Sequence, residues 1–158
     1  MKNKLSLWAL LVVVFAYATC RVLYTDSSAK LPIKVTTWDA LGYYLYLPST
    51  HIYHDDTSFT WFTSIDQKYQ LSGGEFYQAT PHPNGHLVYK YLRGVSILQS
   101  PFYYLAHVYC LTTHQYPADG FSYPYQWAIA WGALLYFFIS LVVLRWILLR
   151  FAEDRVVA

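Results

Sequence analysis

Three apolar segments, each about 20 residues long and so able to form a membrane helix, constrain the fold of this chain most. They lie at residues 5–24, 94–113 and 123–144. A helix of about 20 residues covers roughly 30 Å, which is the thickness of the hydrocarbon core of a bilayer. The sequence therefore predicts an α-helical membrane protein with three transmembrane helices.

These helices divide the chain into membrane-spanning and connecting parts. The large loop is neither a Pro/Gly/Ser linker nor a run of charge, so we expect it to fold and to contain short juxtamembrane helices. The parts are a first helix at 1–24, an external loop at 25–93, a second helix at 94–113, a short cytoplasmic loop at 114–122, a third helix at 123–149 and a tail at 150–158.

The composition agrees with a membrane location. Hydrophobic residues make up 56% of the 158 residues and charged residues only 13%, about half the charged fraction of a soluble domain. The 6 Trp and 17 Tyr match the aromatic belts at bilayer surfaces. The net charge is only +2 and there is no run of Lys/Arg, which argues against nucleic acid as a partner. The expected partner is the lipid bilayer.

The first apolar segment has two interpretations. Lys2 and Lys4 form a basic start, and residues 16–18 read Ala-Tyr-Ala, which resembles a signal-peptidase site. The segment is then either a cleaved secretory signal or, as we favour, a retained helix. The rest of the topology is the same for both.

The Lys/Arg distribution predicts a cytoplasmic amino terminus, because basic residues concentrate on the cytoplasmic side. With three spans, however, the cations after the third helix (Arg145, Arg150 and Arg155) would lie outside. Two explanations stay open. Either the first helix dominates the orientation, or the chain is the beginning of a longer protein, with the tail at 150–158 as a truncation point.

The external loop begins with a carboxylate among aromatic residues. Asp39 lies in a segment, residues 36–48, in which Thr36 or Thr37 can cap a short helix that runs to Leu47 and stops at Pro48. A carboxylate beside Tyr and Trp at a membrane surface is partly desolvated, which makes it a stronger base. Asp39 is therefore the candidate for chemistry.

The periodicity of this helix separates two stripes. Trp38, Leu41 and Leu45 form an apolar stripe, which we expect to face lipid headgroups. Asp39, Tyr43 and Tyr46 follow at intervals of four and three residues and form a second stripe beside the first. An interfacial helix would therefore present the carboxylate beside two phenols.

A cluster of His and Asp follows in the same loop. His51, His54, Asp55 and Asp56 offer nitrogen and oxygen ligands of the kind that divalent metals use. The alternative is a solvated, hydrogen-bonded loop, which is the more common fate of such a cluster. We expect no obligatory cofactor and keep a divalent metal as an open alternative.

Two cations precede the second apolar segment. Lys90 and Arg93 can bind the phosphate of a lipid headgroup or of a lipid-linked substrate. They can also act only as a juxtamembrane anchor that sets the depth of the helix.

The order of these features resembles a known family. A hydrophobic helix precedes an acidic residue and paired tyrosines (Asp39, Tyr43, Tyr44), and a long loop then ends in a lysine before a Pro-containing helix (Lys90, Pro101). This order resembles the polytopic GT-C glycosyltransferases, particularly the dolichyl-phosphate-mannose protein mannosyltransferases and the bacterial aminoarabinose transferases.

The resemblance implies a function and a place. It implies transfer of a sugar from a polyprenyl-phosphate donor to an acceptor hydroxyl on the external face of the bacterial inner membrane. Asp39 would be the general base, Lys90 and Arg93 would bind the donor phosphate, and Tyr43 and Tyr44 would shape the substrate path. Such enzymes have many more helices, so the chain would be an amino-terminal part, inactive without the carboxy-terminal remainder.

Two other classes of function remain open. A small membrane scaffold or accessory subunit would use the aromatic residues for interfaces, and Asp39 would only stabilise a helix start. A transporter fragment would need ionisable groups inside its spans, for which only His107 qualifies.

Overall fold

The computed structural model describes residues 4–23, 25 and 33–158, and these are mostly helical. The helices are α1 (Leu5–Leu23), α2 (Trp38–Tyr44), α3 (Tyr46–Pro48), α4 (Phe62–Tyr69), α5 (Gly94–Thr113), α6 (Tyr123–Leu148) and α7 (Asp154–Val157), with a π-helical turn at Ser49–Tyr53. Two short strands, β1 (Ala79–Pro81) and β2 (Leu87–Tyr89), form an antiparallel hairpin.

The chain divides into two compact units. The first, here called the helix-pair unit, comprises Met1–Thr25 and Trp131–Ala158, and the second, the central unit, comprises Asp26–Ala130. α1, α7 and most of α6 belong to the helix-pair unit. The short helices, the hairpin and α5 belong to the central unit.

Two helices in the described part of the chain are long and apolar enough to cross a membrane, namely α1 and α6. Large apolar side chains on both are exposed, including Phe15 on α1 and Val143 on α6. Lipid would cover such side chains. α5 has the bounds that the sequence predicts, but Gln99, Ser100 and His107 make it more polar, and a third span stays a prediction.

The segment between the first two apolar segments contains short helices, as the sequence predicts, and they surround a core of aromatic and aliphatic residues. The core joins side chains from α2, α5 and the start of α6. Its largest fully buried members are Tyr44, Tyr103, Phe121 and Tyr125. Burial of such rings is the main source of stability for a unit of this size.

The predicted helix at 36–47 has a different course. Thr37 is the residue before α2, as expected, although its side chain makes no capping hydrogen bond. Pro48 does not stop the helical backbone, which continues as the π-helical turn to Tyr53 and ends at His54 with φ 49°. The Ser49 N–H donates to Leu45 O at 3.1 Å, an α-helical bond that carries the helix past the proline, and the π-helical turn begins at Ser49.

Most of the apolar stripe predicted for residues 36–47 packs in the core of the central unit. Leu41 and Leu45 are fully buried in the core, whereas Trp38 is 62% exposed. The expectation that both leucines face lipid headgroups is therefore wrong. α5 and the following segment supply enough apolar surface to cover them.

The segment 114–122 packs against the loop at 25–93 within the central unit. The Tyr53 hydroxyl donates to Asp119 O at 2.9 Å, and the Tyr44 hydroxyl donates to Gly120 O. The Asp119 carboxylate also pairs with Lys68 at 2.8 Å and accepts from the Tyr69 hydroxyl at 2.7 Å. Asp119 thus ties this segment to α4.

In the helix-pair unit, the start of α1 meets the end of α6 and α7. The Leu5 N–H donates to Asp154 Oδ2 at 2.9 Å, and the Ser6 hydroxyl donates to Asp154 Oδ1. Arg145 Nε donates to Ser6 Oγ at 2.8 Å. Further along, the rings of Tyr17 and Phe137 lie 5.2 Å apart.

Candidate active site around Asp39

The backbone beside Asp39 adopts an unusual conformation. Trp38 has a φ of 54°, a left-handed value that is sterically unfavourable for a bulky residue. Gln78, which is fully buried, donates from Nε2 to Trp38 O at 3.1 Å. Strained residues of this kind cluster at functional sites, where the surrounding structure holds them in place.

Two phenols hold the carboxylate of Asp39. The Tyr91 hydroxyl donates to Oδ1 at 2.6 Å and the Tyr77 hydroxyl donates to the same oxygen at 3.2 Å. Asp39 is exposed, so the desolvation expected from the sequence is not found. Within the described residues, Oδ2 accepts no hydrogen bond, so one oxygen of this exposed carboxylate is available as an acceptor.

Tyr91 contacts Gly42 of α2 and the two tyrosines, Tyr43 and Tyr46, that share a predicted stripe with Asp39. Its ring packs on Gly42, where an added Cβ would overlap the ring, and it meets the Tyr43 ring edge-on at 4.8 Å between centroids. The Tyr46 hydroxyl donates to Tyr91 O at 2.6 Å. The stripe of Asp39, Tyr43 and Tyr46 thus converges on a tyrosine from a distant part of the sequence.

The β-hairpin explains why Tyr77 and Tyr91 lie side by side. Ala79 pairs with Tyr89 in the ladder, and the Lys90 N–H extends this pairing by donating to Gln78 O at 3.1 Å. The same register places residue 77 opposite residue 91. The sequence analysis did not predict these strands, and it therefore missed both phenols.

Lys90 and Arg93 lie next to these tyrosines, and both are exposed. Lys90 Nζ is 5.8 Å from the centroid of the Tyr77 ring, and Arg93 Cζ is 5.5 Å from that of Tyr46. These are cation–π distances, at which the ring attracts the charge by about 0.5–1 kcal/mol at exposed sites. Tyr77 therefore contacts both the carboxylate of Asp39 and the ammonium group of Lys90.

The phenols stay protonated at neutral pH. The hydrogen bond to Asp39, together with partial burial, raises the pKa of the Tyr91 hydroxyl, and partial burial and the same carboxylate raise the pKa of Tyr77. Burial also raises the pKa of Tyr46, against the opposing effect of Arg93. Each hydroxyl is thus a stable donor.

Tyr44 lies apart from these residues. Its side chain is fully buried, and its ring packs against those of Tyr103 and Phe121 at 6.0 and 5.5 Å. Burial raises the pKa of its hydroxyl, which donates to Gly120 O. Of the two paired tyrosines, only Tyr43 is close to the Asp39 site.

The His/Asp cluster does not gather into a metal site. No group of three or more His, Cys, Asp or Glu side chains within residues 4–23, 25 and 33–158 is arranged to hold a metal ion. His51 Nε2 bonds the Tyr104 hydroxyl at 2.7 Å. Asp55 instead accepts from Ser58 N and Thr60 N at 2.8 and 2.9 Å, which corresponds to the hydrogen-bonded-loop alternative.

The arrangement combines a carboxylate with an open oxygen, two phenolic donors and two exposed cations. It suits proton removal beside an anionic group. Comparison of the chain with models of protein families, with curated proteins and with solved structures found no match. The site residues must therefore carry any functional argument.

Proposed function

We propose that the chain belongs to an integral membrane glycosyltransferase that uses a polyprenyl-phosphate-linked sugar. The sugar would pass to an acceptor hydroxyl on the external face of a bacterial inner membrane, with the amino terminus in the cytoplasm. The observation that supports this most is the meeting of Asp39 and Lys90 at Tyr77, because the reaction needs a base beside a phosphate-binding cation. The resemblance also implies that further helices complete the enzyme.

The reaction assigns one role to each charged group. The acceptor hydroxyl gives its proton to Asp39 as its oxygen attacks the anomeric carbon of the sugar. The bond from that carbon to the phosphate oxygen breaks, and its electron pair leaves with the polyprenyl phosphate. Lys90 and Arg93 stabilise the negative charge that develops on the leaving phosphate.

The tyrosines would position these groups. Tyr91 and Tyr77 orient the carboxylate so that its second oxygen faces the acceptor, and the ring of Tyr77 places the ammonium group of Lys90. Tyr43, packed on Tyr91, would border the path of the acceptor or the lipid.

The role of Asp39 as the base is tested with the variant Asp39→Asn. Transfer is measured in membranes of the native cell, because these also contain any polypeptide with which the chain assembles. Transfer should fall by about 10²-fold or more, with membrane insertion unchanged. Glu75→Gln is the control, since Glu75 is also an exposed acid of the same loop. Normal transfer by the Asp39 variant would exclude this role.

The phosphate site is tested by binding. Lys90→Gln should weaken the binding of a short-chain polyprenyl phosphate by about 10- to 100-fold, since a charge-assisted hydrogen bond contributes about 1.5–3 kcal/mol and 1.4 kcal/mol is about tenfold. Lys34→Gln, at another exposed lysine of the central unit, should leave binding unchanged. Equal affinities of the two variants would favour a membrane anchor over a phosphate site.

A further inference from the structure

We propose that α5 lies along the lipid surface instead of crossing the bilayer, so that α1 and α6 form a two-helix membrane hairpin. Residues 25–122 would then leave and re-enter the membrane on the same face. The partner of the exposed face of α5 is the boundary between lipid headgroups and acyl chains. This topology does not depend on Asp39 or Lys90, so it is independent of the proposed reaction.

The first observation comes from the segment after α5. A helix of about 20 residues that crosses the bilayer moves the chain by roughly 30 Å to the opposite face. Asp119, six residues beyond the end of α5, nevertheless pairs with Lys68 and accepts from Tyr69. Those partners belong to the loop that precedes α5, so both connecting segments lie on one side.

The second observation is the irregular backbone of the central unit, to which α5 belongs. The central unit contains the two-stranded hairpin and a polar turn at 54–60, most of whose side chains are exposed. Open strand edges and irregular backbone that face lipid do not occur in hydrocarbon, because their polar groups would have no partner. A unit built in this way needs water around it.

The third observation comes from the helix-pair unit alone. Asp154 bonds the backbone of Leu5 and the hydroxyl of Ser6, and Arg145 bonds the same hydroxyl. The start of α1 and the end of α6 therefore lie on the same face of the membrane. Two crossings satisfy this condition and three do not.

The distribution of cations agrees with the hairpin. Lys2 and Lys4 precede the first crossing, and Arg145, Arg150 and Arg155 lie at or after the end of the last one. With two crossings all five belong to the same side, as the preference of Lys and Arg for the cytoplasmic face requires. The conflict that three crossings create does not arise.

The two faces of α5 suit an interfacial helix. Ser96, Tyr103, Ala106 and Cys110 are buried in the unit. The opposite face exposes aliphatic side chains, of which Leu105 is 69% exposed, together with tyrosines typical of membrane interfaces. Its exposed residues include Ile97, Tyr104, Leu105, Val108 and Leu111.

Cysteine labelling distinguishes the two topologies. In a background carrying Cys20→Ser and Cys110→Ala, single cysteines are placed by Gln67→Cys, Gln115→Cys and Val156→Cys. With a membrane-impermeant maleimide, positions 67 and 115 should react from the same side and position 156 only from the other. The proposal is overturned if position 115 reacts from the side opposite to position 67 while position 156 reacts from the same side as 67, because this pattern requires three crossings.

Depth measurements test the partner of α5. Fluorophores are attached through Leu105→Cys or, as a reference near the middle of α6, through Leu135→Cys, whose native side chain is exposed, in vesicles of phosphatidylethanolamine and phosphatidylglycerol. Lipids brominated near the headgroup should quench the probe at 105, and lipids brominated deep in the chain should quench the one at 135. The proposal is overturned if the deeply brominated lipids quench the probe at 105. It is also overturned if no lipid quenches that probe and the unlabelled cysteine at 105 cross-links two chains.

Discussion

Gly42 lies under the ring of Tyr91, and its missing side chain is what allows this contact. A Cβ at this position would overlap Cδ2 and Cε2 of the ring. Gly42→Ala should therefore displace Tyr91 and destabilise the protein by up to about 2 kcal/mol, since overpacking costs about 1–3 kcal/mol and the gain in helix propensity is about 1 kcal/mol. Chemical denaturation of the detergent-solubilised protein measures this change.

Gly94 provides the matched control for this substitution. It begins α5, and no atom lies within 4 Å of the position that a Cβ would occupy. Gly94→Ala should be neutral or slightly stabilising. If the two variants unfold at the same denaturant concentration, Tyr91 does not require the space above Gly42.

At the scale of elements, Asp55 organises the turn that leads into α4. It accepts from Ser58 N, Thr60 N and the Thr60 hydroxyl. Asp55→Asn should lower stability at neutral pH by about 1 kcal/mol, because an amide nitrogen cannot accept the hydrogen bonds from Thr60 and a typical hydrogen bond contributes about 0.5–1.5 kcal/mol. Asp56→Asn, at the exposed neighbouring acid, should have little effect in the same unfolding measurement.

The pH dependence of this contribution has a definite sign. Slight burial opposes ionisation of Asp55, but the hydrogen bonds from Ser58, Thr60 and Thr57 lower its pKa to about 2. Since this is below the value of about 3.9 in an unfolded chain, the contribution is complete above pH about 4 and is lost as the pH falls towards 2. The difference in stability between the wild type and Asp55→Asn should narrow over that range, and a constant difference would contradict the assignment.

The elements also show what the sequence could predict. α5 has the bounds read from its apolar run, and Thr37 precedes α2 as expected, because both features depend on local composition. Tyr77 and Tyr91 reach Asp39 through a hairpin whose strands have three residues each, too short to show a period of two. The π-helical turn after Pro48 depends on packing, which no local pattern reports.

At the scale of the whole molecule, Asp154 links residues from the two ends of the described chain. The hydrogen bond from the Ser6 hydroxyl is the main cause of a lowered pKa of Asp154, so its carboxylate is charged at neutral pH. Asp154→Asn removes this charge and weakens the pairing with Arg145, which is 3.8 Å away. Disulfide cross-linking between Ala9→Cys and Leu144→Cys, which line one cavity, should become several-fold slower.

Glu153→Gln is the control for Asp154, because Glu153 is the adjacent acid and is exposed. Cross-linking in this variant should match the wild type. Equal rates in both variants would show that the apolar surfaces of α1 and α6 hold the helices together without the polar contact. The sequence predicted the long apolar helices α1 and α6 from their length and composition, but it contains no local sign that residue 154 meets residue 6.

The contact between Ser6 and Asp154 also sets an order of events during biosynthesis. The two residues are 148 positions apart, so almost the entire described chain must be translated before the hydrogen bond can form. In the proposed two-helix hairpin, α1 therefore enters the membrane without this partner, and its own apolar side chains must retain it there. The polar contact would then close the helix pair late, once both helices are complete.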